Sequence, residues 1–239
     1  MPERLPSYCR QGFTCTHLTK EDDTAMRRAE RAWWLSILTI AGTLLWSITV
    51  LAQESIGQVA ALQGQATVQR AGSAQTMPVS VQSPVYRDDT IQTLEASKIK
   101  LFLIDGTELA LGERGMMTLS QFVFAPQRQT HRGVVSIARG IFRAVTRKVL
   151  PQTAFEVRTA TAVAAVRGTH WLGEVTPDTT AIVVLEGEVS VVHADTRVRG
   201  TVVLTPGLGT DVKGQAPPTA PRQWPEKRIT TLQQAIALP

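Results

Sequence analysis

Residues 32–52, AWWLSILTIAGTLLWSITVLA, form 21 consecutive positions without a charge. As a helix such a run covers roughly 30 Å, about the thickness of bilayer hydrocarbon. It cannot be an element of an ordinary soluble core, so it divides the chain, and everything after it must fold by itself. Arg27, Arg28 and Arg31 precede the run, and the nearest charge after it is Glu54. Positive residues stay on the cytoplasmic side, so the remainder is expected to be exported. Two readings stay open. Val50-Leu51-Ala52 suits a signal-peptidase site, with cleavage between Ala52 and Gln53. The length of the run suits an uncleaved anchor instead, with Trp33 and Trp34 in the interfacial belt. Residues 1–31 show no apolar periodicity and are expected to be a disordered extension. Met26, just before Arg27-Arg28, is an alternative start.

Both cysteines, Cys9 and Cys15, lie ahead of the run. Residues 53–239 therefore have no disulfide, no cysteine nucleophile and no thiolate metal site. The exported part must be held by its own core.

From Ile56 onward the chain breaks into short β-type runs, such as Lys98 to Ile104 and Val189 to Val192, separated by turn residues at a spacing of roughly 8–12. That pattern predicts an all-β sandwich, barrel or solenoid. Asp105-Gly106 between two such runs predicts a hairpin with a type I′ turn, in which both residues take positive φ. Residues 133–149 fit either period. Arg139, Arg143 and Arg147 share a helical spacing, whereas Ala138, Gly140, Phe142 and Ala144 would share one strand face. The β-branched content and Gly140 favour strands. Residues 213–225, with four prolines from Pro217 to Pro225, read as an extended linker. Residues 226–239 read as a short helix or tail, with Ile229, Leu232 and Ile236 on one side.

Several blocks, in order, resemble the FecR domain over residues 56–212. They are Ile56-Gly57-Gln58-Val59, Val85 to Thr93, Asp105-Gly106-Thr107, Gly140-Ile141-Phe142-Arg143, Phe155 to Thr169 and Leu185 to Val191. The chain departs from the pattern at Asp88, where glycine is usual, and at Ala160, where proline is usual. The resemblance implies an extracytoplasmic all-β domain, solenoid-like in some members. The name-giving members are inner-membrane regulators that relay a transporter's signal to a sigma factor through a cytoplasmic helical domain. The 31 residues ahead of the apolar run are too few to bury such a domain's core.

No catalytic constellation, phosphate loop or metal-ligand spacing is present, and no cofactor is expected. His17, His131, His170 and His193 read as surface or turn residues, and Asp88, Asp89 and Asp105 as turn aspartates. The net charge of +5 is concentrated. Arg128, Arg132, Arg139, Arg143, Arg147, Lys148 and Arg158 face a single acid, Glu156, which leaves a local surplus of six positive charges. Gathered on one surface they would attract an anionic glycan, a lipid headgroup or an acidic envelope protein; dispersed over several strands they would be a solvated face. Arg167 either pairs with a carboxylate such as Glu156 or Glu174 or meets an anionic ligand. Nucleic acid is not an expected partner, because no aromatics interleave the basic stretch and the chain is exported. The expectation is a non-enzymatic binding module of the cell envelope, touching membrane only through residues 32–52 if these are retained. The alternative is a membrane-anchored component that relays an envelope signal through a partner protein.

Overall fold

Strict inside–outside alternation in almost every run sets the architecture, because side chains with period two can bury only one face of a sheet. The computed structural model describes residues 54–128, 130–147 and 152–238. Residues 53–239 form one compact unit, and residues 1–52, with the apolar run and the Ala52–Gln53 site, lie outside the described part. Among the described residues no helix is long and apolar enough to cross a membrane.

Seventeen strands follow in chain order. They begin with β1 (Ser55–Gln63), β2 (Ala66–Gln69), β3 (Thr76–Pro78), β4 (Pro84–Tyr86), β5 (Thr90–Thr93) and β6 (Lys98–Leu103). Then come β7 (Glu108–Leu111), β8 (Met116–Ala125), β9 (Thr130–Val145), β10 (Gln152–Arg158), β11 (Ala162–Val166) and β12 (His170–Val175). The last are β13 (Thr179–Glu186), β14 (Val189–His193), β15 (Thr201–Leu204), β16 (Leu208–Lys213) and β17 (Arg222–Gln223), followed by helix α1 (Glu226–Ile236). They form two layers. The first runs β4–β1–β6–β7–β9–β12–β13–β16–β17. The second runs β3–β2–β5–β8–β9–β10–β11–β14–β15. The expected all-β class holds, and one continuous apolar core joins residues from both layers.

β9 belongs to both layers. Its first part pairs with β8 and, in parallel, with β10; its last part pairs with β7 and β12. Gly140, at φ 107°, marks the passage, beside a register shift against β8. The ambiguous stretch is thus a strand, but its four residues do not share a face. Val135 and Ile137 point into the core before the bend and Phe142 and Ala144 after it, while Ala138 is exposed. The bend inserts the extra residue that reverses the alternation.

Two cross-strand pairs place a phenylalanine ring directly on a glycine. Phe155 lies opposite Gly133, and Phe142 opposite Gly173. A Cβ at either glycine would sit inside the ring's van der Waals envelope. Phe142 also meets Trp171 edge-on at 5.0 Å between centroids.

The Asp105-Gly106 hairpin joins β6 to β7, but its turn differs from the expectation. Only Gly106 has positive φ, at 81°. Gly106 N–H donates to Leu103 O and Leu103 N–H to Thr107 O, each at 2.9 Å. This is a three-residue loop with a left-handed glycine. Asp105 keeps ordinary φ because its carboxylate turns inward to accept from Thr107 N–H at 2.9 Å and Thr107 Oγ1 at 2.6 Å. Asp88, by contrast, stands at φ 64°, which accounts for the glycine usual at that position.

Residues 213–225, expected as a linker, are extended but pinned. Thr219 N–H donates to Asp211 O at 3.0 Å, Thr210 Oγ1 donates to Thr219 O at 2.7 Å, and β17 pairs with β16. Trp224 is buried against the bare backbone of Gly209. Helix α1 then lays Leu232 and Ile236 on the outer face of the first layer, over Ala110, Leu172, Ala181 and Val183. Lys98 Nζ donates to the carbonyl of Gln234 at 2.8 Å, near the helix C-terminus, where a cation is favoured.

Candidate binding groove

The outer face of the second layer carries the charged residues that strand register brings together. Phe155 and Val157 of β10 point into the core, so Ala154, Glu156 and Arg158 point outward. Arg132 of β9 pairs with Ala154. Phe155 pairs with Val166, so Arg167, one residue on, continues opposite Ala154. Val166 pairs with Val189, which brings Glu188 beside Arg167. The result is a transverse row, Arg132–Ala154–Arg167–Glu188, whose members are all exposed. In the next row Glu156, Ala165 and Ser190 follow one another across β10, β11 and β14.

These small side chains leave an open groove of about 460 Å³, lined by Ala154, Glu156, Ala165, Arg167, Glu188 and Ser190 among others. Its volume falls within the range of small-molecule sites. Arg158 clasps Glu156 with Nη2 at 2.8 Å and Nε at 3.2 Å from one carboxylate oxygen, so much of that acid's charge is already balanced. The groove offers guanidinium donors, carboxylate acceptors and a hydroxyl over a flat floor of small residues.

The remaining basic residues do not share this face. Arg143 lies on the outer side of the first layer, with Nη2 3.7 Å from Glu108 Oε2, and Arg147 follows β9 over the Gly106 turn. Arg139 sits at the passage between layers and donates from Nε to Arg114 O at 3.0 Å. Arg128 is exposed in the short turn before β9, and Lys148 lies outside the described residues. Of the carboxylates considered for Arg167, Glu156 lines the same groove, whereas Glu174 belongs to the first layer.

Two of the histidines expected at the surface are buried. His193 donates from Nε2 to Gly214 O at 2.8 Å and accepts from Asp195 N–H on Nδ1 at 2.9 Å, which fixes its neutral tautomer. His131 Nε2 lies 2.7 Å from Asp105 Oδ2, with Phe122 and Phe124 edge-on to the ring at 5.8 Å. His170 is half-buried on the outer side of the first layer. Burial pushes its pKa down and Arg143 adds to that, against the opposing pull of Glu186 and Glu108. Asp89 is a buried turn carboxylate, accepting from Tyr86 N–H at 2.8 Å and paired with Arg70. Among the described residues no cluster of three or more His, Cys, Asp or Glu could hold a metal ion. The pairs Asp105–His131 and Asp89–Arg70 were not legible in the sequence, being 26 and 19 residues apart; only the turn residues around each aspartate hinted that it bonds its own backbone.

A second groove, of about 440 Å³, lies between α1 and the first layer, lined by Ile141, Glu174, Pro225, Lys227, Arg228 and Leu232 among others. Arg228 stacks on Trp224, 3.5 Å from the ring centroid, and lies 3.5 Å from Asp211. These contacts hold the C-terminal segment down.

A two-layer β-domain threaded by one shared strand, with its charged groove on an outer sheet face, defines an all-β domain of the FecR type. Residues 89–190 match the family model described as FecR protein, so the chain carries a FecR domain. The match takes in every residue lining the second-layer groove and leaves out the opening block at residues 56–68. No curated protein matches the chain. Two solved structures of a candidate anti-sigma factor from Parabacteroides distasonis ATCC 8503, at 2.50 and 1.65 Å resolution, are similar in fold. Each has 19% sequence identity and a TM-score of 0.50, with 61% of this chain and 64% of that chain covered. The chain thus spans somewhat less than two thirds of the length of those neighbours.

Proposed function

We propose that the protein is an exported, non-enzymatic binding module that works in the cell envelope through the outer face of its second β-layer. The observation that carries this reading is the groove itself. Charged and hydroxyl side chains converge over small residues on hydrogen-bonded strands, a rigid platform suited to recognition. The uncharged run at residues 32–52, with arginines before it, supports export. An anionic glycan, a lipid headgroup or an envelope protein would engage Arg132, Arg158 and Arg167, and such contacts weaken as salt rises.

A second reading is a membrane-anchored component that relays an envelope signal through a partner protein. The fold's likeness to a candidate anti-sigma factor favours it. One measurement separates the two: fractionation of the native host, followed by mass spectrometry of the N-terminus. A soluble envelope chain beginning at Gln53 supports the binding module and ends the relay. An intact 32–52 segment in the membrane fraction supports the relay. A chain found in the cytoplasm overturns both.

A further inference from the structure

The row Arg132–Ala154–Arg167–Glu188 has a composition that a generally basic surface would lack. Two guanidinium-bearing positions flank a single methyl group. Neighbouring strands lie about 4.8 Å apart, so the flanking residues stand about 10 Å apart across β10, with nothing taller than Ala154 between them. Arg132 is exposed and Arg167 lines the groove wall. That spacing admits one tetrahedral oxyanion, approached by a planar donor fork from either side. On the far side of Arg167 and one row down, the chemistry changes sign. Glu188, Glu156 and Ser190 present acceptors over the flat floor of Ala165. The carboxylates are one strand or one row removed from the arginine gap, and Arg158 already balances Glu156. A second anion would be repelled there, whereas a polyol would donate its hydroxyl protons to the carboxylates.

We propose that this groove binds a phosphorylated saccharide, with the phosphate over Ala154 between Arg132 and Arg167 and the sugar hydroxyls on Glu156, Glu188 and Ser190. This rests on the binding-module reading, and it assigns that module a ligand class. The groove volume of about 460 Å³ suits one or two sugar rings.

The test is isothermal titration calorimetry on the full chain in detergent micelles, with glucose 1-phosphate as probe and glucose and inorganic phosphate as comparators. Glucose 1-phosphate is expected to bind saturably, at least tenfold more tightly than inorganic phosphate, with no heat from glucose. Raising the salt concentration should weaken it. Arg132→Ala should weaken it at least tenfold. Ala154→Leu, which fills the gap without removing a charge, should do the same. Both residues are exposed, so melting temperature should stay within a degree or two in each variant and separate lost binding from lost fold.

No saturable binding of glucose 1-phosphate, or binding indifferent to both substitutions, overturns the proposal. So does equal binding of inorganic phosphate, which would make the site a plain anion site. Binding only to vesicles of phosphatidylglycerol, with none to glucose 1-phosphate, overturns it in favour of a lipid headgroup. A cytoplasmic location, found by fractionation, would remove the envelope reading and leave these binding outcomes as they stand.

Discussion

Nε2 of His131 lies 2.7 Å from Oδ2 of Asp105, and the two side chains are 1% and 0% exposed. The contact ties the β6–β7 turn to the start of β9, the strand on which both layers depend. Burial by itself would raise the Asp105 carboxyl; the hydrogen bonds from His131 and Thr107 and the charge of His131 outweigh it and hold the pKa below the ordinary 3.8. A carboxyl depressed in the folded state adds stability above its unfolded pKa, and that stability fades as pH falls through the folded value. Asp105→Ala is expected to cost about 3 kcal/mol or more at pH 7, since it strands a buried imidazole and a hydroxyl. The penalty should shrink as pH drops below 3.8, where wild type loses the same contribution. Urea denaturation of both proteins at pH 7 and in the acid range checks this; a penalty equally large in acid would contradict it.

Asp89 predicts the opposite pH trend. Desolvation dominates and raises its pKa above 3.8, despite the Tyr86 N–H and the Arg70 charge, and Oδ1 has no partner. Its contribution is therefore present below the unfolded pKa and lost as pH rises through the folded value. Asp89→Asn keeps an acceptor for Tyr86 and Arg70 while removing the ionisation. It is expected to lie within about 1 kcal/mol of wild type at pH 7. A loss approaching that of Asp105→Ala would show that the charged pair with Arg70 outweighs burial.

Gly173→Ala places a methyl group inside the Phe142 ring, and Gly133→Ala does so with Phe155. Neither glycine takes a positive φ, so the cost is overpacking alone. Each change is expected to destabilise by about 1–3 kcal/mol. Combining Gly173→Ala with Phe142→Leu should recover part of the loss, seen as a favourable coupling in a double-mutant cycle of denaturation free energies. Strict additivity would mean that the ring and the glycine do not constrain each other.

Trp224→Ala removes the indole from its seat on Gly209 and the partner of Arg228. Helix α1 has 11 residues and no side-chain cap at its N-terminus, and a helix so short is marginal once unpacked. Hydrogen exchange is expected to rise at least tenfold over residues 222–238 while the strands of the main core keep their protection. Uniform loss of protection would instead make the C-terminal segment part of the global folding unit.

Much of the β-class was legible because its signals are local. Alternation with period two, Gly106 at the hairpin and the prolines near the C-terminus each act over a few residues. The run at residues 32–52 was likewise read from composition alone. The turn at Asp105-Gly106 was placed correctly and typed incorrectly, since its geometry depends on where the Asp105 carboxylate points. That direction is set by Thr107 beside it and by His131, 26 residues away. Residues 213–225 show the same limit. Proline content predicts extension, but only the Trp224 seat on Gly209 decides that the segment is fastened.

The arginines make the division clearest. Sequence determined that positive charge is dense between Arg128 and Arg158. It could not say which side chains share a surface, because β9 reverses its alternation at Gly140 and sends Arg132 and Arg143 to different layers. The parallel pairing of β9 with β10 then sets Arg132 beside Ala154 across a separation of 22 residues, and the β10–β11 register brings in Arg167. Side-chain alternation is a property of each strand. The neighbour each strand acquires is a property of the whole sheet, and a shift of one residue would turn every one of these groups to the other face.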